Sequence, residues 1–210
     1  FLKMFQAGHS ERTFELLRDY DLFSLLFPET DDALNDDESF LAFVRAALAN
    51  TDQRVRSEKS VTPMFLLGVF LWEPVRRYAD QLRSSKKMSV VQSLTLAAYE
   101  ISGLQQSRVS IPRRFTSAMR EMLAMQPRFE VNRGKRALNF LEHRRFRAAY
   151  DFMMLRARGG DFDEGLAEFW TSVQTQNTEE RRKSFQMQQG QRSNKGRRLG
   201  RRRRRDGQKE

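Results

Sequence analysis

FLAFVRAAL, Phe40 to Leu48, sets apolar side chains at Phe40, Phe43, Val44, Ala47 and Leu48. That is i, i+3, i+4, i+7, i+8 spacing, one buried stripe along one helix. A half-buried strand would alternate with period two, and this stretch does not. Going outward, the same period recurs. Toward the C-terminus, Thr62-Pro63 reads as a helix start, with Thr as N-cap and Pro where its missing N–H costs nothing. MFLLGVFLW, Met64 to Trp72, is apolar all round and is expected at the centre of the core. Glu73-Pro74 is expected to break that helix and open another with Val75, Tyr78, Ala79 and Leu82 inward.

Ser89 reads as the cap of a long helix carrying Val90, Leu94, Ala97, Ile101 and Leu104. Ile111-Pro112 opens the next, with Phe115, Met119, Met122 and Leu123 inward, ended by Gln126-Pro127. Residues 133–142 and 146–157 read as a helix pair hinged near His143, and Asp161 or Asp163 caps a last helix through Trp170. Toward the N-terminus, Ser10 reads as the cap for a helix with Phe14, Leu17 and Tyr20, and residues 29–38 as an acidic loop. No four-residue alternation lies between turn signals, so no strand is expected. After about Asn177 apolar residues almost vanish, and the segment is expected to be disordered. The expected fold is all-α: an irregular bundle of about eight helices, with residues 1–60, 61–176 and a disordered Arg-rich tail, 177–210, as its divisions.

The 210 residues contain no cysteine, which excludes disulfides and thiolate metal sites and fits a reducing, cytoplasmic setting. The longest apolar run, nine residues, falls short of the roughly 20 that span a bilayer, so no membrane partner is expected. The net charge is +11, unevenly spread. Residues 1–60 carry 7 Lys/Arg against 12 Asp/Glu, residues 105–158 carry 13 against 4, and residues 191–210 carry 10 against 2. A chain acidic at one end and basic at the other suits a polyanion partner, nucleic acid foremost.

The basic residues gather in PRRF (112–115), QPRFEVNRGKR (126–136) and HRRFRAAYDFMMLRARGG (143–160). Arginine offers planar, permanently charged donors that grip phosphate oxygens in pairs. A solvated face laced with Arg–Glu pairs is the plain alternative, but acidic partners here are scarce. The candidate phosphate contacts are therefore Arg113, Arg114, Arg128, Arg133, Lys135, Arg136, Arg144, Arg145, Arg147 and Arg158. The tail adds Arg197, Arg198, Arg201, Arg202, Arg203, Arg204 and Arg205 as a sequence-tolerant tether.

Other chemistry finds little footing. Asp161-x-Asp163 would hold Mg²⁺ only if a strand turned both carboxylates to one side, and its place between two helices reads as capping. Two histidines, His9 and His143, are too few for a metal site, and Gly159-Gly160 lacks the lysine of a phosphate-binding loop. Trp72 and Trp170 sit on apolar faces and are expected in the core.

In order, FLKMFQAGHSERTFELLRDYDLFSLLFP (1–28), NTDQRV (50–55), VTPMFLLGVFLW (61–72), SIPRRFTSAMREMLAMQPRF (110–129), RGKRALNFLEHRRFRAAYDFMMLRA (133–157) and the Arg-rich close resemble the bacterial poly(A) polymerases. The resemblance runs to about Trp170. It implies a helical neck, body and leg that follow a nucleotidyltransferase head carrying Gly-Ser and Asp-x-Asp motifs. This sequence would then begin inside the neck, which accounts for an opening helix with no cap ahead of Phe1. It also implies that the parent adds AMP from ATP to single-stranded RNA 3′ ends, using Mg²⁺, and that this piece holds RNA but is inactive alone. Residues 1–28 would bind RNA and contact a DEAD-box RNA helicase. Lys3, next to the absent nucleotide motif, would approach ATP. The alternatives are a CCA-adding tRNA nucleotidyltransferase, which shares head and neck, and a non-catalytic helical adaptor.

Overall fold

The structure, a computed structural model, describes residues 2–187, leaving aside the side chains of Leu2 and Met187. All its regular elements are helical: a 3₁₀ turn at Leu2–Gln6, then α1 (Ser10–Asp19), α2 (Leu22–Leu26), α3 (Pro28–Asp36), α4 (Glu38–Arg56), α5 (Pro63–Lys86), α6 (Val90–Arg108) and α7 (Arg113–Ala124). A second 3₁₀ turn, Gln126–Glu130, leads to α8 (Gly134–Phe140), α9 (Phe146–Arg158), α10 (Glu164–Thr175) and α11 (Thr178–Met187). The all-α class stands as expected. Eleven α-helices among the described residues replace the expected eight. Among the described residues no helix is long and apolar enough to cross a membrane.

α5 is the axis. Leu66, Leu67, Val69, Phe70 and Leu71 are fully buried, and α3, α4, α6, α7 and the first 3₁₀ turn all pack on it. α7 packs on α5 at Gly68, where the tip of the flexible Met122 side chain occupies the space a Cβ would take, 2.5 Å from its position. Rings from Phe5, Phe14, Phe23 and Phe27 surround Phe70. A second ring cluster, Phe129, Phe140, Phe146, Phe169 and Phe185, surrounds Trp170. Phe152 joins the two halves through Phe43, Phe65 and Trp72. Both tryptophans are core residues, as expected.

Four local expectations are corrected, each by a contact from elsewhere. α5 runs unbroken through Pro74. Proline has no N–H to offer the carbonyl four residues back. That carbonyl, on Phe70, instead accepts from the buried Thr30 hydroxyl at 2.9 Å. Glu73, also buried, is gripped by Arg76 with two hydrogen bonds, and Arg77 adds a third at 2.9 Å. Residues 29–36 of the expected acidic loop, 29–38, belong to α3, with Pro28 at its first position and Ala33 and Leu34 in the core. Ser10 does not cap α1: its hydroxyl donates to the carbonyl of Leu48, and the Asp52 carboxylate accepts from the N–H groups of Ser10 (2.6 Å) and Glu11 (3.2 Å). An acid at a helix N-terminus satisfies free donors and suits the helix dipole, here from a helix 42 residues on.

The fourth correction is at the C-terminal side. Residues 178–187 of the expected disordered tail form α11. Phe185, 2 % exposed, packs on Phe169 and Trp170, and Arg181 donates to the carbonyls of Val173 and Gln174 at the end of α10. Asn177 and Glu180 bond each other's backbone N–H, a reciprocal N-terminal cap legible in the sequence but overlooked there. The expected tail beyond residue 187 lies outside the described residues.

Candidate nucleic-acid interface

α9 carries two faces. Phe146, Ala149, Tyr150, Phe152 and Met153 turn into the core. Arg147, Asp151, Met154 and Arg158 follow one another at i, i+4, i+7 and i+11 along the opposite side. That side faces the C-terminal half of α4, which presents Asn50 and Arg54, and the segment Ser60–Thr62 leading into α5. Between them lies a groove of about 530 Å³, also lined by Met64, Phe65, Arg144 and Arg145. The first 3₁₀ turn is tied to its rim, since Gln6 donates its amide to the carbonyl of Val61.

Arg54, Arg144, Arg145, Arg147 and Arg158 line this groove, against one carboxylate, Asp151. Their commitments differ. Arg147 pairs with Asp151 at 3.1 Å. Arg145 and Arg144 both reach Glu121 on α7, at 2.7 and 3.3 Å, with His143 Nε2 at 3.7 Å from the same carboxylate. Partial burial pushes the Glu121 carboxyl up, but the bond from Arg145 and the charge and bond of Arg144 outweigh it and hold the group below its ordinary range. Among the described residues the Arg54 side chain donates only to the carbonyl of Ser60, at 3.4 Å. The Arg158 side chain has no hydrogen bond or ion pair among the described residues.

The structure thus brings together Arg144, Arg145, Arg147 and Arg158 from the sequence list and adds Arg54, which sequence reasoning missed. Arg54 sits in the acidic first third of the chain, where the local charge balance hid it. The other candidates do not line the groove. Arg113 and Arg114 are exposed at the start of α7, with the Arg114 guanidinium over the Phe115 ring at 4.8 Å. Arg128 lies over Phe140 at 5.5 Å, and Arg133, Lys135 and Arg136 are exposed about the start of α8. Lys3 is exposed on the first 3₁₀ turn, also outside the groove lining. Arg197, Arg198 and Arg201 to Arg205 lie outside the described residues.

One arginine of the basic stretch serves the fold alone. Arg156, 8 % exposed, lies between Trp72 (4.6 Å) and Phe162 (5.3 Å), and it donates to the side chain and carbonyl of Asp161 and to Gln126. Asp161 also accepts from the Trp72 indole at 3.1 Å, while Asp163 caps α10 by accepting from Leu166 N–H at 2.7 Å. The Asp-x-Asp pair is therefore divided between a buried arginine and a helix end.

Residues 86–208 match the family described as the arginine-rich C-terminus of polymerase A, and residues 1–34 match the family described as a probable RNA and SrmB-binding site of polymerase A. The chain is 33% identical to poly(A) polymerase I of Haemophilus influenzae over 192 residues, 90% of this chain and 42% of that protein. It is 33% identical to poly(A) polymerase I of Salmonella typhimurium over 82% of this chain, and 32% identical to that of Escherichia coli O157:H7 over 82%. Both of those alignments take in 38% of the relative. The chain spans about two fifths of the length of the curated relatives it matches.

Proposed function

We propose a function from one premise: this chain belongs to the bacterial poly(A) polymerase family. In that setting the residues described here hold single-stranded RNA, and the groove between α4 and α9 is where they hold it. The observation that carries this is the pair Arg54 and Arg158, two cations without carboxylate partners among the described residues, in one groove with three further arginines. A flexible single strand can follow such a track with its phosphates on the guanidinium groups and its bases turned inward. The exposed cations of α7 and α8 would extend the grip by sequence-independent charge.

The parent reaction, addition of AMP from ATP to RNA 3′ ends with Mg²⁺, is proposed for the longer protein. Among the described residues no three His, Asp or Glu side chains gather to hold a metal ion, so no step of that reaction is assigned to them. The proposed contact of Lys3 with ATP rests on family resemblance alone. A DEAD-box helicase is proposed as a second partner of residues 1–34, since the matching family description names SrmB. Tyr20 and Leu25, each 71% exposed, are the side chains that would meet it. The cysteine-free composition fits a cytoplasmic setting for both.

Fluorescence anisotropy with a labelled single-stranded RNA tests the reading. Affinity falls with salt, with a log–log slope of about −0.7 per phosphate engaged. Arg54→Ala with Arg158→Ala flattens that slope at unchanged helicity, and so does Arg144→Ala with Arg145→Ala and Arg147→Ala. Unchanged affinity in both variants would refute the groove assignment.

A further inference from the structure

We infer that the groove reads one base of the bound strand, through Asn50, and that the base it accepts carries an amino group beside a ring nitrogen, as adenine and cytosine do. This rests on the groove being the RNA-binding surface. Asn50 lines the groove half-buried on α4, and its amide makes no hydrogen bond among the described residues. An amide sets one donor beside one acceptor. That is the complement of an edge with a ring-nitrogen acceptor next to an amino donor, and it is the pairing by which asparagine recognises adenine.

The surroundings suit a base. Val61, Met64, Phe65, Met154 and Leu155 supply apolar lining, and Phe65 remains partly exposed there. The volume, about 530 Å³, lies in the ordinary range for a small-ligand site. One turn along α4 from Asn50, Arg54 can meet the phosphate of the same nucleotide, and Arg158 that of a neighbour.

Asp151 sets the preference. It is the one carboxylate of the groove lining, and its pairing with Arg147 leaves it further acceptor sites. A carboxylate accepts from an exocyclic amino group and repels the carbonyl oxygens of uracil. Asparagine alone could pair with uracil by turning its amide over. With Asp151 beside the same space, amino-bearing bases are favoured.

The test compares short oligomers of A, C and U at fixed salt, by anisotropy, with the full 210-residue chain. The expected result is that r(A) or r(C) binds about five-fold or more tightly than r(U), the discrimination expected of one good paired contact. Asn50→Ala, on the half-exposed side of a helix, should bring that ratio below about two-fold with the salt slope unchanged. Asp151→Asn should strengthen r(U) while leaving r(A) nearly as it was. The stronger of r(A) and r(C) identifies the base. Equal binding of all three oligomers, or an undiminished ratio in Asn50→Ala, overturns the inference while leaving RNA binding intact. Loss of all three oligomers in Arg54→Ala with Arg158→Ala, by contrast, reports on the groove itself.

Discussion

Arg145 donates its Nε–H to Glu121 Oε2 at 2.7 Å, and the same carboxylate holds Arg144 at 3.3 Å. Glu121 holds two of the five arginines that line the groove, and on the proposed reading it competes with RNA phosphate for them. Glu121→Gln frees both while keeping side-chain shape. RNA affinity at low salt rises, and the salt slope steepens by about 0.7 for each phosphate newly engaged. Salt titrations of the two proteins side by side check this; equal slopes would show that these arginines stay outside the track.

The same carboxylate gives a pH signature of stability. Its pKa is held below the ordinary value of 4.5, so its stabilising contribution is complete above that value. The contribution is lost as pH falls through the lower, folded-state pKa. Glu121→Gln lacks it at every pH. The gap in melting temperature between the two proteins closes as pH falls from about 5 toward 3, as thermal unfolding across that range will measure.

Thr30 completes the helix that Pro74 would otherwise interrupt. Thr30→Val keeps the shape and removes the donor to the Phe70 carbonyl. A buried carbonyl left without a partner costs about 1–3 kcal/mol. Urea unfolding should show that loss, and Thr30→Ser, which keeps the hydroxyl, should recover much of it.

Asp52 caps α1 from α4. Asp52→Ala leaves the N–H groups of Ser10 and Glu11 without their acceptor and costs about 1–2 kcal/mol. Asp52→Asn, which still offers an oxygen, costs less. Denaturant titrations of both variants decide it, and equal losses would mean that charge rather than hydrogen bonding carries the cap.

Arg156 separates fold from binding. Arg156→Ala removes bonds to Asp161 and Gln126 and the contact with Trp72, for about 2–4 kcal/mol of stability. Its buried guanidinium does not line the groove, so the RNA salt slope of the folded variant matches that of the parent. A flattened slope would place Arg156 among the binding residues.

Helix class, the central place of Met64–Trp72, the capping by Ser89 and by one of Asp161 and Asp163, and the excess of arginine over acid in residues 105–158 were all legible in the residue order. Each depends on neighbours within a turn or two, or on composition, and local spacing carries that information. Tertiary structure decided which groups meet. It set Arg54 across from Arg147 and Arg158 and turned Arg156 inward while its neighbours faced the groove. It also mended the bond lost at Pro74 with a hydroxyl 40 residues away in the chain. Charge and hydrogen-bonding capacity belong to each side chain alone, but their use depends on distance. That distance is set by packing between helices far apart in sequence.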